Sequence, residues 1–377
     1  MEDKLYWVWL NQIKGLGPIK VKNLLDYFTD AKGVWESNLE EITAIEGIGS
    51  SLGNRIITSK GKFDFEKEYI SLNKFGVKVV TLVDKCYPKL LKEIYDSPPV
   101  LYYKGDLSKI NRPSLSIVGS RRYTTYGKAI ANKLSKRLTE LGVNIVSGMA
   151  RGIDTFAHQG ALEGGITYAI LGSGIDHIYP PENAALAKRI AKEGAILTPF
   201  HLGTRPFAKN FPARNRIISG LSLGTIVVEA TRKSGSLITA DMALEQGREV
   251  FAIPGDITKE QSQGTNRLIK SGAKLVQNID DILEELPLLE GINSYDEEYG
   301  INLQKDNSLE NRKNKLMKEL SEKQKIVYRR LSYTPQQFEY LLNTISLNSA
   351  QLNTVLLELE IKGMIEQLPG KRFRLAN

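Results

Sequence analysis

Between residues 111 and 286 the chain alternates short apolar runs with amphipathic stretches, and few folds can absorb that order. The runs at 115–118, 144–147, 167–171, 195–198, 225–229, 250–253 and 274–276 are brief and rich in Val and Ile. Strands buried on both faces read this way. The intervening segments 126–141, 183–192 and 236–246 carry apolar residues at helical spacing, with Gly142, Gly194 and Gly247 where helices stop. Such alternation demands crossover connections. The expected class is therefore α/β: a doubly wound, mostly parallel sheet with helices on both faces and right-handed crossovers.

Ligands of such sheets bind beyond the carboxyl ends of the strands. There the sequence collects one chemistry. The first strand runs into Gly119-Ser120-Arg121-Arg122, the second into Gly148-Met149-Ala150-Arg151-Gly152, and the third into Gly172-Ser173-Gly174. Beyond the fourth lie Arg205 and Phe211-Pro212-Ala213-Arg214-Asn215-Arg216; beyond the fifth, Glu229 and Ser234-Gly235-Ser236. Glycines let backbone amides approach an anion, helix starts add positive potential, and arginine forks match phosphate oxygens. These ends describe a site for a polyphosphate or a nucleic-acid backbone. Fingerprints for ATP and dinucleotides are missing: no P-loop occurs, and His177 stands where a third glycine would follow Gly172-Ser173-Gly174. No cofactor is expected.

The stretches SIVGSRRYTTYG, IVSGMARGIDTFAHQGAL, LGSGIDHIYPPEN, FPARNRIISGLS and VVEATRKSGSLITADMALEQGREVFAIPG stand in this order across about residues 85–286. Together they resemble the DNA-processing protein A family (DprA, also called Smf). The resemblance implies an extended Rossmann-like sheet, commonly dimeric. It also implies a protein that binds single-stranded DNA, protects incoming DNA in natural transformation and loads the RecA recombinase on it. Carried onto this chain, the family's G-[ST]-R turn matches Gly119, Ser120 and Arg121, and its basic-Asn pair matches Arg214 and Asn215. Gly148, Arg151 and Gly152 match its S-G-x-A-x-G-I-D segment, where amides near a phosphate are expected. The resemblance thus implies electrostatic capture by Arg121, Arg122, Arg151, Arg214 and Arg216, with amide contacts from Gly119 and Gly148. Asp154 is assigned to ordering its loop or capping a helix, because a carboxylate repels phosphate. Phe207, Phe211 and Tyr123 are candidate stacking faces. By analogy, dimer and RecA surfaces fall near residues 265–276, where Leu268, Ile269 and Leu275 suit a core equally well.

The rival reading is enzymatic. Residues 219–225 followed by Glu229 resemble the G-G-x-G-T-x-x-E motif of LOG-type nucleoside-monophosphate phosphoribohydrolases. The Gly-Gly pair is absent, and three residues rather than two separate Thr225 from Glu229. Glu229 is accordingly assigned to a buried or loop-ordering role, and no catalytic residue is expected. His158, His177 and His201 show no metal-ligand spacing, and the single cysteine, Cys86, excludes an internal disulfide and any multi-cysteine zinc site.

Charge and punctuation divide the chain further. Residues 1–80 read as a SAM-like or helix-hairpin-helix domain. Its turns Gly15-Leu16-Gly17 and Gly47-Ile48-Gly49 precede helices, and basic neighbours Lys14, Lys20 and Lys22 favour the first as a DNA contact. The Rossmann-like domain is set at 81–286, and residues 287–315 are an acidic linker. Residues 316–377 read as a winged helix with helices at 322–331, 335–344 and 349–362. Its third helix offers little positive charge, which leaves protein binding and an auxiliary DNA role both open. The net charge of +8 favours polyanions. The charged start and the lack of any apolar run near the roughly 18 residues of a span predict a cytoplasmic protein with no membrane insertion.

Overall fold

The computed structural model describes residues 2–286, 320–331, 336–345, 347–362 and 364–375. The linker expected at 287–315 lies outside the described residues. Two compact units emerge, Met1–Glu298 and Tyr299–Asn377.

In the first unit, nine strands form one sheet: β1 (Lys78–Thr81), β2 (Val100–Gly105), β3 (Ser114–Val118), β4 (Asn144–Ser147), β5 (Thr167–Ile170), β6 (Ala195–Thr198), β7 (Gly224–Val227), β8 (Glu249–Ala252) and β9 (Lys274–Leu275). Their order is β1-β2-β6-β5-β4-β3-β7-β8-β9. The pairs β1–β2 and β2–β6 are antiparallel and all the others are parallel. The mostly parallel, doubly wound α/β sheet is thus as expected. Every residue of β3 to β7 is buried, which is why these strands stood out as short, mainly apolar runs. The antiparallel edge formed by β1 and β2 was not foreseen. Its strands are partly exposed and carry Lys78, Tyr102, Tyr103 and Lys104, so they give no continuous apolar signal.

Six helices precede the sheet: α1 (Glu2–Gln12), α2 (Pro18–Phe28), α3 (Ala31–Glu36), α4 (Leu39–Thr43), α5 (Ser50–Lys60) and α6 (Phe65–Lys74). The turns before α2 and α5 repeat one geometry. Gly15 and Gly47 have φ of 86° and 80°, and Gly17 and Gly49 are extended N-caps with no side-chain cap. Arg55 of α5 donates to the Lys14 carbonyl at 2.9 Å and so sets a guanidinium against the first turn. These helices share their core with the sheet. Trp9, Leu10, Ile42 and Ile56 cluster with Val79, Tyr102, Ala169, Leu171 and Ile190.

Helices α7 (Lys89–Glu93), α8 (Thr125–Glu140), α9 (Ile153–Gly164), α10 (Ala184–Glu193), α11 (Asn210–Gly220), α12 (Gly235–Glu245) and α13 (Gln263–Lys270) clothe the sheet. On one face Ala131, Leu138, Ala157 and Ala161 of α8 and α9 cover Leu115, Ile117, Ile145 and Ile226. On the other, Ile217 and Ile218 of α11 and Ala240 and Ala243 of α12 cover Val118, Ile170 and Val227.

The second unit has helices Glu322–Arg330, Phe338–Thr344 and Ser349–Ile361, with a small sheet of β10 (Gln336–Gln337), β11 (Ile365–Leu368) and β12 (Arg372–Leu375) in the order β10-β12-β11. Leu352, Val355, Leu356 and Leu359 fill its core, as the winged-helix reading requires. Gln351 is committed to a capping box with Asn348, and Glu366 pairs with Arg374 at 2.8 Å.

Candidate nucleic-acid interface

Strand order fixes where a ligand can enter. From β3 the chain steps outward through β4, β5 and β6, then returns to β7 on the opposite side of β3. The loops leaving β3 and β7 diverge and open a crevice at the switch point. A cavity of about 510 Å³ occupies that crevice. Its size falls within the roughly 300–1,000 Å³ of ordinary ligand pockets. The loop after β3 contributes Gly119, Ser120, Arg121 and Arg122; the segment after β7 contributes Thr231, Ser234, Gly235 and Ser236; α11 contributes Phe211, Arg214 and Asn215.

The first loop is held from beneath. The Ser120 amide donates to the Glu229 carbonyl at 2.7 Å. The Ser120 hydroxyl accepts from the Arg122 amide at 3.0 Å and donates to the Arg122 carbonyl at 2.7 Å. This tight turn leaves both guanidinium groups outside. Arg121 and Arg122 are exposed and form no ion pair among the described residues, and Arg121 lies 5.5 Å over the Phe211 ring. Across the cavity, α12 begins at the Ser234 cap, whose hydroxyl accepts from the Ser236 amide at 3.4 Å. Two free cations thus face the positive end of a helix, an arrangement that attracts an anion.

Beneath this surface lies a buried polar layer. Arg214 is 3% exposed and donates from Nη1 to the Ile170 carbonyl at 2.9 Å, while its Nε has no partner. Asp154 is also buried and accepts from the amides of Gly148 at 3.2 Å and Ala150 at 3.3 Å. The opposite charges attract across Gly148 without forming a direct ion pair. Burial lowers the Arg214 pKa to about 10. Burial raises that of Asp154, against the pull of Arg214 and of the amides it receives. A Cβ on Gly148 would overlap the Arg214 guanidinium and the Asp154 carboxylate, so only glycine fits between them. Gly152, at φ 81°, brings its backbone against the Ser120 carbonyl and ties this loop to the arginine turn.

Several expected site residues are engaged within the protein. Arg214 lines the cavity floor rather than reaching into solvent, because α11 turns it inward. Arg216 is two positions along the same helix, about 200° away around the axis. It binds the Asp96 carbonyl and, at 2.8 Å, the Asp96 carboxylate. Arg151 is exposed but engages the Glu182 carboxylate through both Nε and Nη2, outside the cavity lining. The Gly148 amide donates to Asp154, and the Gly119 amide adds to the same carboxylate's stabilisation. Asp154 orders its loop as expected. Asn215 and Ser120 keep their places in the lining. Of the candidate stacking faces, Phe211 lines the cavity and Tyr123 and Phe207 are exposed, with Tyr123 edge-on to Phe156 at 4.6 Å.

Other chemistry-bearing residues are accounted for. Glu229 is 3% exposed and accepts from the Thr124 amide at 3.0 Å and the Thr124 hydroxyl at 2.5 Å, which pins the start of α8. Cys86 is exposed. No group of three His, Cys, Asp or Glu side chains suited to a metal ion occurs among the described residues, and none of their helices is long and apolar enough to cross a membrane. Thr231 follows Glu229 at the end of the fifth strand and lines the cavity, whereas sequence reasoning missed Thr239, Glu260 and Gln261, which also line it. Only the small, hydroxyl-rich start of α12 had a local signal.

Residues 78–287 match the family model described as DNA recombination-mediator protein A, and residues 313–371 match the DprA winged helix domain. Protein Smf of Synechocystis sp. is 35% identical over 395 residues, 99% of this chain and 98% of its own. The X-ray structure of DNA processing protein A from Streptococcus pneumoniae has a TM-score of 0.67 at 38% identity, covering 74% of this chain and 97% of that one. A structure of DNA processing protein A from Helicobacter pylori, described in terms of its single-stranded DNA binding mode, has a TM-score of 0.51 at 32% identity over 56% of this chain and 96% of its own.

Proposed function

The chain belongs to the DNA recombination-mediator protein A family (DprA, Smf), and on that premise we propose that it captures single-stranded DNA in the cavity between β3 and β7. The single observation that carries this reading is the pair of unpaired guanidinium groups, Arg121 and Arg122, facing the start of α12 across that cavity. A nucleotide phosphate held there is bonded by arginine forks and by helix-terminal amides. Such contacts carry no base pattern of a duplex groove. A single strand is free to present an unstacked nucleotide to them. Phe211, Tyr123 and Phe207 supply aromatic faces for its neighbours.

In this reading the protein is a binding protein of the cytoplasm that protects incoming DNA and delivers it to RecA in natural transformation. A homodimer puts two pockets on one strand and raises the effective concentration of the second contact. The short edge strand β9 and the partly exposed Leu268, Ile269 and Leu275 are the surface we assign to that assembly. The hydrolase alternative rests on Glu229, and that carboxylate is buried and spent on Thr124.

Fluorescence anisotropy with a labelled oligonucleotide, single-stranded or duplex, over a salt series tests the reading. Single strands should bind more tightly than duplex. Arg121→Ala should weaken single-strand affinity by about tenfold or more, the scale of a charged hydrogen bond. It should also flatten the slope of log K against log salt by roughly 0.7–1, the share of one phosphate contact. A folded Arg121→Ala variant with unchanged affinity and slope would remove the assignment.

A further inference from the structure

One residue of the cavity is at odds with a site for phosphate alone. Glu260 opens the short helical turn Glu260–Ser262 after β8 and lines the same 510 Å³ space as Arg121 and Arg122. Its carboxylate is exposed and makes no hydrogen bond or ion pair among the described residues. Gln261 lies beside it in the lining, with the hydroxyl-bearing Thr231 and Thr239 nearby. A free carboxylate repels a phosphate. The part of a ligand that it can bond is one that donates hydrogen bonds. The cavity also has room for a whole nucleotide rather than a phosphate group only.

Among the nucleobases, guanine offers two parallel donors on one edge, N1–H and the 2-amino group. These match the two oxygens of one carboxylate, whereas thymine offers a single N–H between two carbonyls that a carboxylate repels. Adenine and cytosine each offer one amino group beside an acceptor. We propose that Glu260 makes this cavity selective for guanine, holding the edge of an unstacked guanine base while Arg121 and Arg122 hold its phosphate. The inference rests on the single-strand reading above and adds base preference to it. A bidentate contact to a base edge discriminates by at least about fivefold.

The full-length chain is titrated against oligothymidine strands carrying one central guanine, inosine, adenine, cytosine or no substitution. Guanine should bind at least fivefold more tightly than thymine, and inosine, which lacks the 2-amino group, should fall between them. Glu260→Gln should bring the guanine and thymine strands to within about twofold while leaving oligothymidine affinity equal or slightly higher. Because the Glu260 side chain bonds to nothing among the described residues, this variant keeps its fold. Equal binding of all the strands by the wild type overturns the guanine assignment and leaves single-strand binding intact. Failure to bind any strand overturns the single-strand reading instead. A guanine preference that survives Glu260→Gln places the selectivity elsewhere and also overturns the proposal. Free GMP should displace the strand at concentrations at which TMP does not. GMP bound at a site that the strand leaves untouched would mean that a free nucleotide is the ligand.

Discussion

Replacing Arg214 by Ala should cost the first unit about 3 kcal/mol or more, the scale seen when one member of a buried charge pair is removed. The side chain is 3% exposed and bonded to the Ile170 carbonyl. Its charge offsets that of Asp154, whose carboxylate orders the Gly148 and Ala150 amides. Without Arg214, Asp154 is buried with no cation, its pKa rises further, and the variant loses more stability at pH 8 than at pH 5. All three tryptophans, Trp7, Trp9 and Trp35, lie in the N-terminal helices, whose core continues into the sheet. Tryptophan fluorescence in a denaturant titration therefore reports this unit. The double variant Arg214→Met with Asp154→Asn should recover part of the loss, since no charge is then left unpaired. An Arg214→Ala chain as stable as the wild type would show that the buried layer is not held by this pair. The consequence for function is direct. Loss of DNA affinity in Arg214→Ala reports a collapsed floor, whereas Arg121→Ala, on an exposed unpaired side chain, reports the contact itself.

That contrast shows what the sequence could express. The central strands were legible because burial on both faces leaves them mostly apolar, with short Ser, Thr and Asn side chains among the Val, Ile and Leu. Strands β1 and β2 were not, since Lys78, Tyr102, Tyr103 and Lys104 leave neither a continuous apolar run nor strict alternation. The arginine turn after β3 was legible as a local motif, and its exposed guanidinium groups stand where ligands of such sheets bind. The run Arg214-Asn215-Arg216 gave no sign of how its side chains divide between the cavity and the Asp96 contact. A motif records order, but a helix adds about 100° per residue, so neighbours in the string face different sides. Electrostatics assigned Asp154 correctly to its own loop, yet not the amide geometry by which it claims Gly148. Glu260 and Gln261 had no local signal, because they reach the cavity only through the placement of β8 beside β7.

Acid should destabilise the same buried layer through His158. This side chain is fully buried in α9, one helical turn beyond Asp154. Its Nδ1 lies 2.7 Å from the Thr167 hydroxyl, and that hydroxyl already donates its proton to the Ile145 carbonyl at 2.8 Å. Nδ1 must therefore carry the hydrogen, and Nε2 is a bare nitrogen with no partner. Burial, reinforced by the Arg214 charge, lowers the His158 pKa from 6.5 to about 3. In the unfolded chain the ring takes a proton near pH 6.5; in the folded one it resists down to about pH 3. Between these limits the unfolded state binds more protons, so stability is full above pH 6.5 and falls as pH falls, by roughly 1 kcal/mol per pH unit from this residue. Asp154 acts in the opposite sense, its raised pKa letting the folded state take up a proton first, but it is common to the wild type and any His158 variant. The stability advantage of the wild type over His158→Gln should thus shrink by about 2 kcal/mol between pH 6.5 and 4.5. Parallel pH profiles of the two proteins, followed by tryptophan fluorescence, would mean that His158 gains its proton in the folded state as readily as in the unfolded chain, and that the layer beneath the cavity is open to water.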